Sequence, residues 1–241
     1  MPGSRSTHIG LRKWLAVVVA LACATGLLYL SIPRTVAAFL ALPGNPVFSR
    51  VQRGEPVLLE DVQTLAASRH RVVVWADWPS AWSELAYAEH EIAYRQRQTD
   101  GRLEPRLVER ALAATEHALA HSPSESEGWG RLALLRYVMA GPTDAAGKAF
   151  AMALLTGPVR PKQVGYRLDL AFRLWPRLSS DDRDLVARFA RISWRYAYEE
   201  ILAIADTPAR VGIMRAIYAS DPSILATFES LLARRAQTPK S

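Results

Sequence analysis

The sequence predicts an all-α chain, an N-terminal transmembrane helix followed by a domain of helical repeats. Three observations carry this. Residues 14–32 read WLAVVVALACATGLLYLSI, without a single charge. Beyond them, apolar residues recur at steps of three and four, the spacing of one helix face. A Trp-x-x-Leu-Ala opening also occurs twice, at Trp82-Leu85-Ala86 and at Trp129-Leu132-Ala133, each followed by spaced small residues.

The 241 residues give room for one domain of ordinary size and a segment outside it. Half of them are apolar, enough for a sizeable core. The net charge is +7, and three of the 30 basic residues (Arg5, Arg12, Lys13) lie ahead of or beside the apolar run. The 27 left face 23 acidic residues, a mixed surface without the basic cluster that nucleic acid requires. The mild excess suits anionic lipid head groups. A single cysteine, Cys23, excludes an intrachain disulfide and a Cys-based zinc site.

Taken in order, residues 1–13 form a short basic N-terminus, expected in the cytoplasm by the positive-inside rule. Residues 14–32 match the roughly 20 apolar residues that a helix needs to cross hydrocarbon. Trp14 and Tyr29 fall near the ends, where amphipathic rings favour the interface. A cleaved signal would have an apolar run of only about 7–15 residues. Leu21 stands where a lipoprotein signal at Cys23 wants a small residue. A retained anchor follows, with the C-terminal part periplasmic, in a bacterial inner membrane. Residues 33–56 read as linker. Residues 35–42 extend the anchor after a kink or lie on the membrane surface, and Pro43 to Gly54 form a connection. Leu58, Val62, Leu65 and Ala66 then make one stripe; the β-branched Val72-Val73-Val74 suit a strand as well, but the all-helical surroundings favour a helix that continues toward Trp75.

Residues 57–158 carry the repeats. In the second copy, Trp129, Leu132 and Ala133 line one helix, Gly141-Pro142 break it, and Thr143 or Asp144 caps the next. Ala146, Phe150 and Ala153 line that helix, and Gly157-Pro158 end it. In the first copy Ala111, Thr115, Ala118 and Pro123 each stand 35 residues before a counterpart, while the two Trp residues are 47 apart. The difference falls in the polar run from Arg95 to Pro105. This constellation resembles the tetratricopeptide repeat, a helical hairpin of about 34 residues with Trp, Leu, Gly or Ala, then Ala, Phe, Ala and Pro. The resemblance implies stacked hairpins, an α-solenoid with a surface for a protein partner.

Residues 159–236 are expected to be helical and to cap the repeats, and residues 237–241 to be a disordered tail. Val164, Leu168, Phe172 and Trp175 form one stripe. Ser179 to Asp182 supply a cap, and Leu185, Phe189, Ile192 and Tyr196 carry the next face. Thr207-Pro208 and Asp221-Pro222 open two more helices. Residues 166–194, together with the order anchor, linker, repeats, helices, resemble membrane-anchored repeat proteins of bacterial cell-surface polysaccharide assembly systems. They are equally similar to repeat-bearing assembly factors for membrane complexes.

Chemistry is sparse. His117 and His121 stand at i and i+4, a spacing that can bring two rings to one metal, although His121 also suits a helix C-terminus. Asp181, Asp182 and Asp184 could pair for acid/base work, but a helix start explains them. A nucleophile elbow, a phosphate loop and a His-Glu-x-x-His pair are all missing from the sequence, so no catalytic, cofactor or metal residue is assigned. Arg167, Arg173, Arg177, Arg183, Arg188, Arg191 and Arg195 lie close to Trp175, Trp194, Tyr196 and Tyr198. Such residues favour interaction surfaces, and could hold an anionic glycan or lipid. Alternatively the aromatics are core and the arginines pair with Asp169 and its neighbours. The expected function is a non-enzymatic membrane-anchored scaffold, the rival a binding module for an anionic ligand.

Overall fold

A computed structural model describes residues 5–101, 104–157 and 163–237; for residues 5–13 and Asp100 it describes the backbone alone. The described residues are mostly helical, joined by turns and short connections, with no strand among them. They fall into two compact units, Met1–Arg95 and Gln96–Ser241, and the division runs through one helix.

The first unit begins with α1 (Arg5–Ala41), 37 residues long. At 1.5 Å per residue it extends about 55 Å. The apolar run is thus part of a longer helix, and Pro33 does not end it. Proline removes the N–H that would bond Tyr29 O one turn back, yet the helix runs on, and side chains around it bond back along its length. Ser31 Oγ donates to Leu27 O (2.6 Å), Arg34 Nη1 to Leu30 O (3.3 Å) and Thr35 Oγ1 to Ser31 O (3.0 Å). The segment expected as linker is also largely helical. Residues 35–41 complete α1, and α2 (Asn45–Arg53) occupies most of 43–54. Pro46 in its first turn and Gly54 at φ 72° beyond its end explain why it forms there.

Next comes α3 (Leu59–Trp75), opened by Asp61, whose carboxylate accepts from the Leu58 N–H (3.0 Å). The β-branched run at its end is helical, because Val72 is fully buried against Ala37 and Ala81. After the extended Ala76 the chain turns into α4 (Pro79–Asp100), which holds the unit boundary. Arg69 bonds Glu84, and Arg95 Nη1 bonds Val57 O (2.7 Å), so α4 runs back along α3, its first part beside the later turns of α3 and its last part beside the start of α3. The polar run from Arg95 is helical as far as Asp100, where a loop was expected.

The second unit contains α5 (Pro105–His121), α6 (Ser126–Ala140), α7 (Asp144–Thr156), α8 (Val164–Leu174), a 3-10 turn (Trp175–Arg177), α9 (Ser180–Ile204), α10 (Pro208–Tyr218) and α11 (Pro222–Gln237). The closest-packed pair is the antiparallel hairpin of α6 and α7. Gly141 (φ 71°) turns the chain between them, and Thr143 Oγ1 accepts from Ala146 N (3.2 Å). Leu132, Ala133, Ala146, Phe150 and Ala153 are all buried. A Cβ on Gly157 would collide with Ser126, so only glycine permits this approach. Ser179 and Asp182 form a reciprocal capping box at the start of α9. Ala197 departs from helical geometry (φ −138°, ψ 28°) and bends that helix. Trp194, Tyr218 and Phe228 meet edge to face, with centroids 5.3–6.0 Å apart, where α9, α10 and α11 join.

The expected first repeat copy is split between the units. Trp82, Leu85 and Ala86 belong to the first, and Ala111, Thr115 and Ala118 to the second. Leu85, Ala86, Ala111, Thr115 and Ala118 are buried, and Trp82 is half-buried. Pro158 and residues 238–241 lie outside the described residues, while Gln237, expected in the tail, is the last residue of α11.

Candidate interaction surfaces

The seven arginines do not form one surface. Arg167 is 3% exposed, lies 6.0 Å from the Phe189 ring centroid, and donates through Nη2 to Ser126 Oγ (2.7 Å). Ser126 in turn donates to Ala153 O (2.8 Å), so Arg167 ties α8 to the α6–α7 hairpin. Arg191 bonds Ile217 O and Ser220 Oγ (3.1 Å each), and so holds the end of α10. Both were expected on an outer face and instead brace the fold. The reason for Arg167 is that α8 is buried on several sides, with Val164, Leu168, Leu170, Ala171 and Leu174 also inside.

Arg173 is exposed but engaged. Its Nε meets Asp169 at 2.7 Å, and its guanidinium sits 5.9 Å from the Tyr137 centroid. The carboxylate beside it holds the guanidinium pKa above its ordinary value. Arg183 lies over Trp175 (5.4 Å) and bonds Trp175 O (3.1 Å). Arg177, Arg188 and Arg195 are exposed.

On α9, the exposed Arg188, Ile192, Arg195 and Tyr196 follow at helical steps and share one face. Ile192 is 57% exposed, and Tyr196 and Tyr198 are also open to solvent. Trp194, by contrast, packs on the core with Tyr218 and Phe228. The result is a mixed apolar and cationic stripe on a long helix, with acidic Asp181 and Asp184 at its N-terminal end. Those carboxylates face solvent at a helix start, and Asp182 is used by the cap. His117 and His121 lie with ring centroids 4.9 Å apart and planes tilted by 33° at the end of α5. His121 Nδ1 lies 3.0 Å from His117 O, a carbonyl that can only accept, so this nitrogen carries the proton.

No protein-family model matches this chain, and no curated protein or solved structure matches it either. The surface therefore has to be read from its own chemistry.

In the first unit the sequence left two features unremarked. Arg69, almost wholly buried, donates to Glu84 Oε2 (2.6 Å), Ala41 O (2.9 Å) and Asn45 Oδ1 (2.8 Å). Burial raises the Glu84 pKa above its ordinary value, although Arg69 pulls the other way. Val74 and Trp75, at the end of α3, are 81% and 48% exposed. Trp14, Leu21, Leu27 and Tyr29 are exposed along α1, whose residues 14–41 are apolar and long enough to cross a membrane.

Proposed function

We propose that this chain is a non-enzymatic scaffold, held in a bacterial inner membrane by α1. Its remaining helices would sit on the periplasmic side and keep a protein partner at the membrane during cell-envelope or surface-polysaccharide assembly. The observation that carries this is α1 itself, an exposed apolar helix that continues without a break into a helical unit. The α9 stripe offers the partner an isoleucine and a tyrosine flanked by two guanidinium groups, a composition favoured at protein interfaces. The non-enzymatic reading is supported by the use of Asp182 in a cap. The polysaccharide setting rests on the sequence resemblance, which residues 166–194 and the order of the segments carry.

Two measurements test it. A periplasm-dependent reporter fused after Ser241 should be active, and a reporter active only in the cytoplasm would reverse the topology. A photo-crosslinker at Ile192 in intact membranes should capture one protein reproducibly, and Tyr196→Glu should abolish that capture. Binding of an anionic glycan or lipid, lost in Arg188→Glu with Arg195→Glu while no protein is captured, would replace the scaffold by a ligand-binding module. Capture of subunits of one membrane complex only during its biogenesis would make the chain an assembly factor.

A further inference from the structure

The first unit shows how far its helices stand from the apolar run. Ser68 Oγ donates to Leu40 O (2.7 Å), and Arg69 Nη1 to Ala41 O. A Cβ on Gly44 would touch Leu65 and Ser68 at 3.1 Å, and Val72 is buried with Ala37. From Leu65 beside Gly44, through Ser68 beside Leu40, to Val72 beside Ala37, each advance along α3 meets a similar retreat along the chain into α1. The helices are antiparallel, and three residues beyond Val72 the register brings Trp75 level with Arg34.

Arg34 is the first charge after the uncharged residues 14–32, two positions beyond Ile32. At 1.5 Å per residue that is about 3 Å along the axis. The polar boundary of a bilayer is roughly 5–7 Å thick on each side of its hydrocarbon. The tip where α3 turns into α4 thus stands within the head-group layer when residues 14–32 span the hydrocarbon.

The side chains at that tip suit this position. Val74 is open to solvent and Trp75 nearly half so, while Trp78 packs behind them with Ala37 and Val72. A tryptophan ring with an apolar body and an N–H favours the head-group boundary. Asp77, the nearest acid in sequence, is turned to the Trp82 indole and accepts its Nε1–H at 2.6 Å. Isolated exposed apolar residues are common, so exposure alone decides nothing. What decides is that this pair lies at the level where the uncharged residues 14–32 give way to Arg34.

We propose that Val74 and Trp75 form a second membrane contact, which dips into the head-group boundary of the bilayer that α1 crosses. The inference rests on α1 spanning a membrane. Full-length protein in vesicles of phosphatidylcholine and phosphatidylglycerol tests both, with a nitroxide on native Cys23, on Val74→Cys or on Leu58→Cys, the last two in a Cys23→Ser background. Leu58 is exposed at the opposite end of α3. The preference for oxygen over a water-soluble nickel chelate should be several-fold higher at 74 than at 58, and highest at 23. Equal values at 74 and 58, with 23 still lipid-like, would overturn this contact and leave the anchor. A label at 74 shielded from both reagents would also overturn it, in favour of a protein neighbour. A water-like label at 23 would overturn the anchor, and this contact with it.

Discussion

Arg69 Nε and Glu84 Oε2 are 2.6 Å apart, and the guanidinium is almost completely withdrawn from water. The same arginine binds the last carbonyl of α1 and the first side chain of α2. Removing one partner of a buried pair leaves the other charge uncompensated, so Arg69→Ala should cost about 3–5 kcal/mol of stability. Urea unfolding of the detergent-solubilised chain measures this. An unchanged midpoint would mean that water reaches the pair.

Glu84 also gives a pH dependence. Its folded pKa is raised above the ordinary 4.5, burial being the larger cause. The native state then holds the proton more tightly than the unfolded chain, so stability falls as pH rises from 4.5 through the folded pKa and is level above it. Glu84→Gln should remove that slope. A slope identical in wild type and variant would assign it to other groups.

Phe150 is 1% exposed between α6 and α7, whereas Trp129 is only half-buried and bonds Pro123 O through Nε1 (2.7 Å). Phe150→Ala should cost about 3–5 kcal/mol, and Trp129→Ala distinctly less. The reverse order in thermal unfolding would place the Trp129 ring inside.

Gly157→Ala should destabilise by about 1–3 kcal/mol, because the added methyl meets Ser126. Adding Ser126→Gly removes the opposing atoms. In a double-mutant cycle the pair should cost less than the sum of the single changes. Simple additivity would show that the helices part freely.

Arg167→Ala should lower stability by about 1–3 kcal/mol through the lost bond to Ser126. Arg188→Ala and Arg195→Ala, on the outer face of α9, should stay within about 0.5 kcal/mol of wild type. Circular dichroism melts separate the two groups, and equal effects would contradict the division between bracing and surface arginines.

Much of the fold was legible because caps are local. Ser179, Thr143 and Thr207 each accept a backbone N–H three residues on, as their positions before apolar stripes indicate. Helix boundaries at proline were legible only in part: Pro208 and Pro222 open α10 and α11 as expected, but two earlier prolines mislead. Pro33 and Pro46 read as breaks, yet one lies inside α1 and the other opens α2. The arginines were illegible for a different reason. Spacing places Arg167 beside the Val164–Leu168 stripe, but only neighbours brought from α6 and α9 decide that its side is buried as well. Arg69 had no sequence signal, since its partners Ala41, Asn45 and Glu84 are gathered by folding.

The unbroken α1 has a mechanical corollary. The helix runs without a gap from Arg5 to Ala41, and Arg69 binds its last carbonyl, so the stem is joined to the unit it carries by helix and not by a loop. Torque or tilt imposed on the stem by lipid would pass directly to α3. A change in bilayer thickness would then reach the first unit as reorientation, with no need for any of its helices to unfold.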